Sequence, residues 1–218
     1  VGLNEIGRRT DAHGEPVVAD RLLSLPLPLL EHLWPDEWRV VGLNEIGAEG
    51  AGALAGVLEE CKKLAHLDLS RNKVGAKGVG ALAGVPTECK ALAYLGLSDD
   101  AIGDEGASAL AGLLRECQAL AHLDLSENKF GEKGAFALAG TLGKCQALAH
   151  LDLSWNSVGD QGAVALAGVF GECKALAHLN LSRTSVGDEG VGALAEVLMG
   201  CKALAHLNLS INEIGTKK

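Results

Sequence analysis

Residues 148–175 read LAHLDLSWNSVGDQGAVALAGVFGECKA, and at Leu176 the same pattern begins again. The stretch before it, residues 120–147, is LAHLDLSENKFGEKGAFALAGTLGKCQA, so the period is 28 residues. The cysteines obey it: Cys61, Cys89, Cys117, Cys145, Cys173 and Cys201 are each 28 apart. Six cysteines in a small secreted chain would suggest three disulfides. A disulfide framework seldom keeps one period, however, whereas a repeat array does. The leucines share the period, from Leu64 to Leu204, Leu67 to Leu207 and Leu69 to Leu209, with no insertion or deletion from Val41 onward.

Within one unit, Leu67 and Leu69 alternate with His66, Asp68 and Ser70, which predicts a short strand with one buried face. Asn72 and Gly75 mark a turn. A helix is predicted next, because Leu54, Leu58 and Cys61 are spaced by four and three and share one face. Asp104, Glu105, Asp160, Asp188 and Glu189 fall at the expected helix starts, and Lys62, Lys90, Lys174 and Lys202 just past the ends. Both choices complement the helix dipole. Runs such as Gly50-Ala51-Gly52-Ala53-Leu54 recur in every unit, so close packing of adjacent helices explains them better than a nucleotide-binding loop. One such unit cannot bury its apolar face alone, and neighbours must stack.

The L-x-x-L-x-L-x-x-N signature in a 28-residue helical unit resembles the leucine-rich repeat of the ribonuclease-inhibitor-like type, the type of NOD-like receptors. The likeness runs over about four-fifths of the chain. It implies an α/β solenoid, a horseshoe with a parallel β-sheet on the concave face and α-helices on the convex face. With strands ~4.8 Å apart, about seven would line the concave side. The resemblance also implies that an asparagine column turns inward to bond the backbone of the turns. Here that column is Asn44, Asn72, Asp100, Asn128, Asn156, Thr184 and Asn212. Asp100 and Thr184 depart from it and are expected to make only part of the ladder, with a looser turn at each. Pro86 stands where sister units have Leu58, Leu114, Leu142 and Leu198. Proline removes a helical hydrogen bond and clashes backwards, which predicts a shortened or broken helix there.

A length of 218 residues suits one domain, or a domain with a small extension. A hydrophobic fraction of 48% argues against disorder. Only 3% of residues are aromatic while Gly supplies 29, so the core must be built from small and aliphatic side chains. The net charge of −9 argues against a nucleic-acid partner, which needs a basic face. No run approaches eighteen apolar residues, so no membrane span is expected. Residues 1–40 hold Pro16, Pro26, Pro28, Pro35, Trp34 and Trp38 and read as an N-terminal cap or atypical extension; residues 41–218 read as the array. Val1–Gly7, VGLNEIG, is identical to Val41–Gly47. The chain opens with neither Met nor a basic-then-apolar leader, and reads as processed or trimmed. No helix follows Gly215, so the last strand is expected to have an unpaired edge. That edge fits an array cut from a longer one, which is the favoured reading, end-to-end contact through an uncapped C-terminus, or an edge that is simply tolerated.

The concave face is the usual binding surface of the family it resembles, and its columns can be read off. One holds His66, Tyr94, His122, His150, His178 and His206; the next holds Asp68, Gly96, Asp124, Asp152, Asn180 and Asn208. A serine column follows, and beyond it a varied one: Arg71, Asp99, Glu127, Trp155, Arg183 and Ile211. Imidazoles on neighbouring strands can in principle converge on zinc or nickel. Duplication of a structural His–Asp pair that satisfies itself is the better reading, and no metal or cofactor is expected. Stacked imidazoles would repel once protonated near pH 6, which would make binding pH-dependent. Ser, His and Asp occur together, yet no serine is singled out as a nucleophile and no oxyanion motif is present. The cysteine column reads as buried thiols in a reducing, cytoplasmic setting.

What stands out is variation against a uniform background. Tyr94 and Trp155 are the aromatics of the concave columns, and interface anchors are enriched in Trp, Tyr and Arg. The expected protein-binding patch is centred on Trp155 and flanked by Tyr94, Glu127 and Arg183, with Arg71 and Asp99 further along. The sequence thus reads as a non-enzymatic module that binds a protein partner through its concave face. The alternative is a structural subunit contacted through its ends or its convex helices.

Overall fold

The structure is a computed structural model that describes residues 39–40, 45–58, 64–84 and 90–215. Strands and helices alternate: β1 (Arg39–Val40), α1 (Gly47–Leu58), β2 (His66–Asp68), α2 (Gly75–Ala83), β3 (Tyr94–Gly96), α3 (Gly103–Leu114) and β4 (His122–Asp124). They continue with α4 (Glu132–Leu142), β5 (His150–Asp152), α5 (Gly159–Phe170), β6 (His178–Asn180), α6 (Asp188–Leu198) and β7 (His206–Asn208). Among the described residues the strands form one seven-stranded sheet in sequence order, every pair parallel. Each residue pairs with the one 28 positions later, as Leu67 with Leu95 and Leu95 with Leu123. The period of the sequence is therefore the register of the sheet.

The central leucine of each strand from Leu67 to Leu179 is buried, and so are Leu69, Leu97, Leu125, Leu153 and Leu181. Behind them the helices pack each on the next. Leu110, Leu114 and Cys117 all lie inside, as do Leu138, Leu142 and Cys145. The four-and-three spacing thus selects the inner helix face. Glycines set how closely the helices approach. A Cβ on Gly106 would lie 2.3 Å from Ile102 Cγ2 and 3.0 Å from the Cα of Ala76 on α2. This bears out the packing reading of the recurrent glycines.

Helix α2 ends at Ala83 after nine residues, against twelve in α1 and α3. It closes on the Gly84 N–H, which reaches the carbonyls of Gly80 and Ala81. The helix is short as the sequence predicts; Pro86 itself lies outside the described residues. So do residues 1–38, with the expected cap, and Asn44, Lys62, Cys61 and Cys89.

The acidic residues at the helix starts do more than complement a dipole. Asp104 Oδ1 accepts the N–H groups of Gly131 (2.7 Å) and Gly134 (2.9 Å) in the following repeat. Asp160 Oδ1 does the same for Gly187 and Gly190, at 2.7 and 2.9 Å. Each therefore caps its neighbour's helix and ties adjacent units together. Past the other helix end, the Lys174 ammonium donates to the Gly171 carbonyl, as the dipole argument expects. No helix among the described residues is long and apolar enough to cross a membrane.

Candidate protein-binding face

The period-2 geometry of the strands turns the histidine column to the concave side. There the rings stack: His122 on His150 at 3.8 Å, His150 on His178 at 4.1 Å and His178 on His206 at 4.3 Å between centroids. Tyr94 lies flat against His66 at 4.0 Å and tilted to His122 at 5.6 Å. Stacked rings keep their nitrogens in parallel planes instead of aiming them at one point. Among the described residues no group of three or more His, Cys, Asp or Glu side chains could hold a metal ion.

Beside the rings, Asp124 and Asp152 bond to the serine column. Asp124 Oδ1 accepts both the N–H and the Oγ–H of Ser126, at 2.9 and 2.8 Å. Asp152 Oδ1 accepts the same pair from Ser154, at 2.8 and 2.6 Å. Asn180 Nδ2 reaches across to Asp152 Oδ2 at 2.8 Å. The hydroxyls of Ser126 and Ser154 are thus committed to neighbouring carboxylates. Tyr94, His150, Asp152, Asn180 and His206 are among the walls of a concave groove of about 630 Å³.

Burial, and then the charge of nearby imidazoles, holds His122 and His150 below the ordinary histidine value of 6.5. Burial pushes the Asp124 carboxyl up despite the Ser126 bonds, and it raises Tyr94 with help from Asp68 and Asp124. The sign for the histidines follows directly. The unfolded chain takes up protons first as pH falls below 6.5, so this stack loses stability toward acid. A His122→Gln, His150→Gln double variant should lose less melting temperature than wild type between pH 7.5 and 5.5. Equal losses would show that the stack does not resist protonation.

The varied column sits on the turns that follow the strands. Arg71, Asp99, Glu127, Trp155 and Arg183 all have positive φ, between 54° and 62°. None is glycine, and the left-handed region is costly for such side chains. Glycine takes this conformation only at the turn's far end, as at Gly75 and Gly103 (φ 62° and 63°). Trp155 is 52% exposed, and the Arg183 guanidinium lies 3.9 Å from the centre of its ring. Arg71 Nε approaches Asp99 Oδ2 at 4.0 Å. The structure therefore joins Trp155 to Arg183 and Arg71 to Asp99. Glu127 is exposed on the turn between those pairs. Tyr94 belongs to the strand ladder deeper in the groove, two strands before β5.

Beneath these turns runs the asparagine ladder. Asn128 Oδ1 accepts the N–H groups of Asp100 (3.1 Å) and Ile102 (3.3 Å). Its Nδ2 donates to the carbonyls of Leu97, Leu125 and Ser126, at 2.5, 3.1 and 3.1 Å. Asn156 repeats all five bonds one unit later. The two departures each keep one half. Asp100 Oδ1 accepts from Asn72 and Val74, whereas Thr184 Oγ1 donates to Leu181 at 2.6 Å. The turn conformation itself is not looser at Thr184, since Arg183 and Ser185 keep φ of 54° and 57°.

A family model for the leucine-rich repeat matches residues 60–83, 92–111, 116–139, 144–167 and 172–195, more than half of the chain. The chain belongs to the leucine-rich repeat family. Proteins of this family generally serve as scaffolds for contact between proteins. Among solved structures, this leucine-rich repeat array is similar to an internalin of Listeria monocytogenes, with 20% identity and a TM-score of 0.50. That match covers 72% of this chain and 45% of the internalin, so the array spans less than half of it. The array also resembles the C-terminal domain of tropomodulin from Caenorhabditis elegans, with 18% identity and a TM-score of 0.58. There the coverage is 69% of this chain and 92% of the domain. At these identities both likenesses speak to the fold alone. No curated protein matches the chain.

Proposed function

We propose that this leucine-rich repeat protein is a non-enzymatic scaffold, of the ribonuclease-inhibitor-like, 28-residue type, that binds a protein partner along its concave side. The observation that carries this reading is the Trp155–Arg183 pair. A large aromatic stands half exposed on the turn after β5 with a guanidinium stacked on it at 3.9 Å. Such a pair is ordered before any partner arrives, and Trp and Arg dominate interface hot spots. Tyr94 provides the second aromatic inside the groove, and Glu127, Arg71 and Asp99 the charged rim. The free thiols of Cys145, Cys173 and Cys201 support a reducing, cytoplasmic setting. Residues 1–40 as a cap to an array over 41–218 complete the reading.

The test compares wild type with a Trp155→Ala, Tyr94→Ala double variant, each checked for folding by circular dichroism. Partners are captured from the soluble extract of the source. A protein held by wild type should bind the variant at least about tenfold more weakly, the effect of losing one hot spot. Equal retention by both would remove the concave face from the contact. It would favour the second reading, a structural subunit touched through its convex helices or its ends. Phe136 is 71% exposed on α4, and Leu207 and Ile211 are exposed in the last repeat.

A further inference from the structure

One rung of the turn ladder is not satisfied by its own chemistry. Asp100 is fully buried where other repeats place asparagine. Its Oδ1 behaves as an asparagine Oδ1 does, accepting the N–H groups of Asn72 at 2.8 Å and Val74 at 3.2 Å. Its Oδ2 takes the place of the amide Nδ2. In Asn128 and Asn156 that nitrogen donates to the carbonyls three, two and thirty-one residues earlier. Moved by one repeat, those carbonyls are Leu97, Ser98 and Leu69, and all are acceptors. An ionised oxygen among them meets only repulsion. Asp100 Oδ2 is the one buried side-chain oxygen or nitrogen among the described residues that has no hydrogen-bond partner.

We propose that Asp100 is held as the neutral acid, with its single Oδ2–H donating to one of the carbonyls that the amide Nδ2 serves in its sister repeats, and that loss of this proton weakens the turn between β3 and α3. The carbonyls have room for the extra donor. Leu125 O already accepts from both Asn128 and Asn156, at 3.1 and 2.9 Å, using its two lone pairs. Leu97 O accepts one amide, from Asn128, and an Asp100 hydroxyl would complete the same pairing.

Surrounding charges do not relieve the ionised form. Asp99 lies in the same turn and Asp68 comes from β2, both opposing ionisation. In the preceding turn Arg71 reaches Asp99, and Lys73 is tied to Glu45 at 2.6 Å. In the following turn the exposed Glu127 and Lys129 flank the rung, and Asn128 supplies an acceptor to the Asp100 N–H. Burial, against the two amide bonds and with Asp99 and Asp68, pushes the Asp100 carboxyl up from 3.8 to about 6. The folded chain therefore binds the proton more tightly than the unfolded chain. Stability from this group is complete below pH 3.8, falls as pH rises toward 6, and is lost above it. That direction is opposite to the one set by His122 and His150.

The test is Asp100→Asn in the full chain, which restores the residue the other repeats carry and so should fold. At pH 4 the variant and wild type should melt within a degree or so of each other. At pH 7.5 the variant should melt higher by about 5 °C, the shift that a roughly tenfold change in the folding equilibrium gives in a chain of this size. A constant offset at both pH values, or a variant that melts lower at pH 7.5, would overturn the proposal. A carboxyl carbon titration by NMR gives a second reading: one resonance, absent from the variant, should titrate near pH 6. Its appearance in the ordinary aspartate range would also overturn it.

Discussion

Asn128→Ala is expected to remove about 4 kcal/mol of folding stability, because the substitution strands several buried main-chain groups at once. The side chain accepts two amide protons and donates to three carbonyls, tying its own turn to the preceding repeat. Alanine leaves the N–H groups of Asp100 and Ile102 inside the turn with no acceptor. Each such loss costs about 1–3 kcal/mol, less where a carbonyl retains another partner. Leu97 O accepts no other amide of the column, whereas Leu125 O keeps Asn156. The sum lies well above the ordinary effect of a single substitution. Urea unfolding followed by far-ultraviolet circular dichroism reads it as a lower midpoint. In a repeat array the loss can also split one transition into two, since repeats are coupled mainly to neighbours. An unfolding free energy within about 0.5 kcal/mol of wild type, the ordinary effect of a neutral surface substitution, would mean that water replaces the ladder at no cost.

This ladder also marks where the sequence was informative and where it was not. A period of 28 without gaps gives the register directly, because residues 28 apart sit side by side on the sheet. Burial of Leu123 and Leu125, and the inward helix face of Leu138, Leu142 and Cys145, follow from alternation and from the four-and-three spacing. The left-handed turn residues were not legible. Arg71, Asp99, Glu127, Trp155 and Arg183 carry no local signal for positive φ. Their conformation is imposed by bonds from other repeats, such as Trp155 N–H to Ser182 O at 3.0 Å, and it overrides local preference. The cap from Asp104 to the next helix is missed for a similar reason: in sequence it looks like its own helix's first turn. The varied column showed which residues differ, but not that Trp155 and Arg183 stack or that Tyr94 sits apart in the histidine ladder.

Gly134→Val and Gly140→Ala, six residues apart on α4, should shift stability in opposite directions. A Cβ at Gly134 would lie 2.8 Å from Phe130 Cβ, 2.9 Å from Asp104 Oδ1 and 3.1 Å from Ala107 Cβ on α3. Phe130 is fully buried and has nowhere to go, and interiors at close-packed density do not yield cheaply. Asp104 holds the Gly131 and Gly134 amides, so pushing it aside also uncaps α4. Valine adds two further carbons to that clash. Overpacking of about 1–3 kcal/mol and a lost cap of about 1 kcal/mol together predict a loss of about 3 kcal/mol. Gly140 faces outward with nothing within 4 Å of its would-be Cβ. Alanine there meets no atom and reduces the backbone freedom of the unfolded chain, so it should stabilise by about 0.5–1 kcal/mol. The paired design separates two causes that glycine-rich repeats confound. If the column at Gly134 exists for close approach of helices, only the inner glycine resists substitution. If both substitutions destabilise equally, the glycines serve some requirement of the helix itself, and the packing account of the recurrent glycines fails with it.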